Sequence, residues 1–197
     1  EMLPLALPAK GPGQHVRVWA RSLSGMQKEC IVASALGTIW RLASDEGPYL
    51  DGFDAAPCPL AFMTVGMVSS YMNSLLAVAN ARELAIRHLT LVQDNRYTME
   101  GSALQGTMTG GALPVGLEVQ IGIDVEDDVV ADLVQTAVCV SPLKRLLRER
   151  HASRFSLTVD GREVPVGRVE TLDSCAPPDP QRAFSQFALP VTTGVPI

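Results

Sequence analysis

Pro57-Cys58-Pro59-Leu60-Ala61-Phe62-Met63-Thr64-Val65-Gly66-Met67-Val68-Ser69-Ser70-Tyr71-Met72-Asn73-Ser74-Leu75-Leu76-Ala77-Val78-Ala79-Asn80-Ala81 is the stretch on which the fold turns. From Ala55 to Ala81 no residue is charged, a length sufficient to span a bilayer. Yet Pro57, Pro59, Ser69, Ser70, Asn73, Ser74 and Asn80 lie within it, and no basic cluster flanks it. Weighed against the hydropathy rule, those residues make it a buried helix of a soluble protein rather than a membrane span. A proline in the first helical turn removes no hydrogen bond, so the helix is predicted from about Pro59 to about Ala81. Such a helix is a rod of roughly 33 Å. It is apolar nearly all round and needs walls on more than one side.

Strands supply those walls. Upstream, His15 to Val18 and Cys30 to Leu42 run in β-branched and apolar residues with Ser24-Gly25 between them, which predicts an N-terminal β-meander. Asp45-Glu46-Gly47-Pro48 and Asp51-Gly52 end it. Downstream, Ile86 to Tyr97 alternates with a mixed face, Leu104 to Met108 is a candidate short strand, and Leu117 to Asp124 alternates as a half-buried strand. Glu126, Asp127 and Asp128 suit a helix N-terminus, where negative charge meets the macrodipole. The second helix is predicted from Val129 to about Arg150, kinking or restarting at Pro142 with Ser141 as N-cap. Phe155 to Val166 reads as a hairpin about Asp160-Gly161. From Asp173 onward the prolines at 177, 178, 180, 190 and 196 break any periodicity, and that segment reads as a tail.

The class is therefore α+β, with two apolar helices packed on antiparallel sheet. Residues 1–14 read as an extension, 15–172 as one domain and 173–197 as the tail. Two such helices leave more apolar surface than one sheet covers, and a homodimer resolves this. The composition agrees: 47% hydrophobic and 19% charged residues in 197 exclude a disordered or fibrous chain and place apolar surface against a partner. A net charge of −5 argues against a nucleic-acid partner, since phosphate backbones are held by clustered Lys and Arg.

Four cysteines, Cys30, Cys58, Cys139 and Cys175, stand far apart with no C-x-x-C pair, so no zinc module or dense disulfide scaffold is expected. The first residues do not read as a secretory signal, and the expected compartment is the cytoplasm. Cys139 precedes the predicted helix restart, where positive potential favours a thiolate, although most free cysteines are simply small buried apolar residues. The acidic run 124–128 lacks the spacing of a calcium loop, and Met63, Met67 and Met72 read as core rather than as a copper or haem site. No metal or cofactor is expected.

Arg41-Leu42-Ala43-Ser44-Asp45-Glu46-Gly47-Pro48 followed by Asp51-Gly52-Phe53-Asp54-Ala55-Ala56-Pro57-Cys58-Pro59 resembles the Asp-Glu-Pro and Gly-Gly-x-Asp-x-x-Pro-x-Pro segments of OsmC-like proteins. The segment around Ala137-Val138-Cys139-Val140-Ser141-Pro142-Leu143 resembles the family's second cysteine motif. The resemblance covers about Val16 to Val166. It implies an intertwined homodimer with two sites at its interface. In many members, including the organic hydroperoxide resistance branch, a peroxidatic cysteine on the first helix attacks peroxide and a second-helix cysteine resolves the sulfenic acid. A glutamate near the start of the first helix and an arginine from the N-terminal hairpin assist.

This sequence departs from that pattern. Aligned on Pro59, the peroxidatic position falls on Ser70, followed by Tyr71, and the glutamate position on Leu60. Aligned on Pro57, the two positions become Val68 and Cys58. Neither register supplies a cysteine, and a serine hydroxyl forms no sulfenic acid. Cys139 keeps the resolving position. Three readings follow. An interface pocket lined by Ser70, Tyr71, Met67 and Cys139, with Cys58, Leu60 and Arg41 as further candidates, binds a small molecule. Alternatively Cys139, aided by Cys58 and by a cation such as Arg41 or Lys28, reduces an organic hydroperoxide at the expense of a dithiol. The third reading, a Ser70 hydrolase, needs His88 or His151 as base and lacks a G-x-S-x-G elbow.

Overall fold

The computed structural model describes residues 10, 11, 13–102, 105–149 and 156–165. Among them, the described parts of Glu1–Pro59 and Ala152–Ile197 make one compact unit and those of Leu60–His151 a second. The predicted extension, apart from a few residues, and the predicted tail lie outside the described residues.

The first unit is built on an antiparallel sheet of β1 (Val16–Ser22), β2 (Lys28–Ser34) and β3 (Ile39–Ser44), in that order. Here the meander is as the residues predict, with one refinement. The run from Cys30 to Leu42 is two strands rather than one, because Gly37 takes a φ of 96° and turns the chain between them. Alternation then sorts the faces. Trp19 pairs with Ile31, and Ala33 pairs with both Arg17 and Ile39. Trp19, Ile31 and Ala33 form a buried cluster with Ile39 against it. A short hairpin, β8 (Leu157–Val159) and β9 (Arg162–Val164), closes through Asp160 and Gly161, both at positive φ, as its Asp-Gly turn predicts.

Helix α1 spans Pro59–Ala81, within a residue of the expected bounds. It leads into β4 (His88–Asp94), which pairs antiparallel with β7 (Gly116–Gly122), while β5 (Tyr97–Glu100) pairs with β6 (Thr109–Ala112). The strand expected at 104–108 lies one step later, in β6. In β4 the inward parity is Leu89, Leu91 and Gln93, and Leu89 sits opposite Ile121 across the pair. The core of this unit joins Leu75 and Ala79 of α1 to Leu133 and Ala137 of α2 (Asp127–Val140), with Leu89, Val119 and Ile121 packed beneath. Leu75 and Leu133 are essentially fully buried, each contributing about 2 kcal/mol by removal of apolar surface from water.

The second long helix restarts at Pro142, as the sequence predicts. It stops at Val140, and α3 (Pro142–Arg148) starts afresh. Pro142 has no N–H for the helical ladder, and Ser141 at φ −57° and ψ 122° caps the new start by accepting from the Lys144 backbone N–H at 3.5 Å.

Candidate functional site

The break between α2 and α3 places its capping residue against α1. Gly66, Ser70 and Ser74 follow one another at four-residue steps and share a face of α1. A Cβ at Gly66 would meet Leu143 Cδ2 at 3.5 Å, an ordinary contact, so α3 packs over this turn of α1. One turn on, Ser70 Oγ lies 2.8 Å from Ser141 Oγ. Ser141 is wholly buried, and Ser74 is 8% exposed. Two serine hydroxyls and a backbone N–H thus join three helices without a formal charge.

Cys139 stands apart from that pair. It occupies the last turn of α2 and is exposed, and the Lys144 ammonium donates toward its Sγ at 3.7 Å. Met67 and Tyr71, the other pocket candidates on α1, are buried, and burial pushes the Tyr71 phenol above its ordinary range. Met67 is further held by Asn95, whose Nδ2 donates to its Sδ at 3.4 Å and to the Tyr97 hydroxyl at 2.8 Å. Tyr97 reaches Thr64 of α1 at 3.1 Å, and Gln93 donates to Asn95 at 2.8 Å. The first turns of α1 are therefore tied to the β4–β5 connection by polar side chains. Leu60, at the glutamate position implied by the resemblance, is 40% exposed and carries no charge.

The remaining candidates belong to the first unit. Glu29 is wholly buried and ion-paired to Arg21, whose Nε donates at 2.6 Å, and to Arg41. Lys28, the other cation considered as a thiol activator, pairs with Glu46 at 3.1 Å. Both therefore have carboxylate partners in their own unit. Cys30 is partly buried, and burial together with the Glu29 charge raises its pKa against the opposing pull of Lys28, which disfavours a thiolate. Cys58 is partly buried as well. Around it, the buried Asp45 carboxylate accepts the N–H groups of Glu46, Phe53 and Ala55 at 2.8, 3.2 and 3.1 Å. Burial raises this acid, but those N–H donors and the Gln27 side chain favour the carboxylate form, and its pKa ends below the ordinary 3.8. Gly52 completes the loop because a Cβ there would run into the Glu46 carbonyl.

Ser141, Glu29, Lys144 and Asn95 are the site residues that sequence reasoning missed or saw only in part. Ser141 was legible as a cap, but its bond to Ser70 joins residues 71 positions apart. Glu29 had a local signal, since a turn at Ser24-Gly25 sets it opposite Arg21. A base for Ser70 is another matter. Its partner is a hydroxyl, His88 lies over Gly122 on the β4–β7 pair, and His151 lies outside the described residues. Among the described residues no three His, Cys, Asp or Glu side chains gather as metal ligands.

No family model and no curated protein sequence matches the chain. Solved structures do. The chain is similar to an organic hydroperoxide resistance protein OsmC from Legionella pneumophila, described as a predicted redox protein and regulator of sulfide bond formation, with a TM-score of 0.54 and 16% identity over 71% of this chain and 92% of that one. It is similar to an organic hydroperoxide resistance protein from Elizabethkingia anophelis, with a TM-score of 0.52 and 18% identity over 68% and 88%. An OsmC-like protein from Mycoplasma pneumoniae gives 0.50 and 14% over 68% and 87%. The mixed helix and antiparallel-sheet architecture built above is thus the fold of the OsmC-like organic hydroperoxide resistance proteins.

Proposed function

We propose that this chain is a divergent OsmC-like protein, acting as a homodimer in the cytoplasm, in which the interface site binds a small molecule and the two-cysteine peroxidase cycle does not run. The observation that carries the reading is the hydroxyl pair of Ser70 and Ser141 at 2.8 Å. Aligned on Pro59, Ser70 takes the position at which a peroxidase of this fold needs a thiolate. A hydroxyl there neither ionises near neutrality nor accepts an oxygen atom from peroxide. Tyr71 and Met67 are buried near Ser70 on α1, and Leu60 and Cys139 of the same unit are further candidates for the pocket. Support for the dimer comes from α1, where Leu60, Val65 and Leu76 are 40, 60 and 46% exposed, more apolar surface than a lone subunit leaves to water by preference.

A second reading rests on Lys144. Its ammonium donates toward the Sγ of the exposed Cys139 at 3.7 Å, which sets a cation beside the one thiol described in that unit. In that reaction the Cys139 thiolate attacks the terminal peroxide oxygen and the O–O bond breaks. The alkoxide leaves and takes a proton, and Cys139 becomes a sulfenic acid. A dithiol then condenses with it, releasing water, and its second sulfur returns Cys139 to the thiol. Incubation of the purified protein with an organic hydroperoxide and a dithiol distinguishes the two readings. Binding without turnover is the result expected of the first. Turnover that is lost in Cys139→Ala would replace it with the second.

A further inference from the structure

We draw no further inference here: the strongest candidate, the exposed apolar face of the β1–β2–β3 sheet around Val18, Val32, Trp40 and Leu42, carries nothing because nothing in the structure shows what covers it.

Discussion

The two compact units treat polar atoms in opposite ways. In the sheet unit, buried charge is matched by charge or by backbone donors. Glu29 is held by Arg21 and Arg41, and Asp45 by three N–H groups. In the helix unit the polar contact at the centre is neutral, Ser70 against Ser141, and the one described thiol there is exposed beside Lys144. A buried carboxylate without its partners is costly, so the first arrangement secures a fold. A neutral hydroxyl pair ties helices together at little electrostatic cost and supplies no nucleophile. The cations that the sequence offers for activating a thiol, Arg41 and Lys28, are engaged by carboxylates, and the Ser70 hydroxyl is engaged by that of Ser141.

The largest effect should come from removing the charge that balances two guanidiniums. Glu29→Gln is expected to lower unfolding free energy by about 3 kcal/mol, moderated by the solvent access that Arg21 and Arg41 retain. Urea titration reads this directly, and an unchanged midpoint would remove the contrast between the units. Next comes Asp45→Asn, whose effect depends on pH. Because the folded-state pKa lies below the unfolded value, the carboxylate's contribution is complete above the ordinary carboxylate range and is lost as pH falls through the folded pKa. The gap between wild type and Asp45→Asn should therefore be widest above about pH 5 and close below pH 4, near the ordinary Asp pKa. A gap that stays constant with pH would show that the carboxylate form is not what the loop holds.

On the helix side the expected changes are smaller. Ser141→Ala removes a cap and leaves Ser70 without its partner, and should cost about 1–2 kcal/mol. A double-mutant cycle with Ser70→Ala checks the pairing: additivity would mean the two hydroxyls do not interact in solution. Gly66→Ala should stabilise by about 0.5–1 kcal/mol, since alanine is the better helix former and the new Cβ makes ordinary contact with Leu143. A lower melting temperature in that variant would mean α3 packs more tightly on α1 than the 3.5 Å approach implies.

Local chemistry made most of the elements legible. The uncharged run bounded by Asp54 and Arg82 marks α1, the Pro142 restart follows from a missing N–H, and the Asp160-Gly161 turn follows from its φ preference. The split of the second strand at Gly37 was less visible, because one glycine inside an apolar run signals either a turn or a bulge. The site was harder to read, since its contacts are long-range. Ser70 and Ser141 are ordinary helix and cap residues until the fold brings them together. The Arg41 to Glu29 pair joins neighbouring strands whose register depends on the turn at Gly37.

Replacement of Ser70 by cysteine tests the central claim most directly. Hydroperoxide consumption with a dithiol reductant should be undetectable in the wild-type protein and should appear in Ser70→Cys, because under the proposed alignment the substitution places a sulfur at the peroxidatic position of α1 and leaves Cys139 to resolve it. Turnover in the wild type that survives Ser70→Ala, with no gain in Ser70→Cys, would contradict the account and assign the chemistry to another residue.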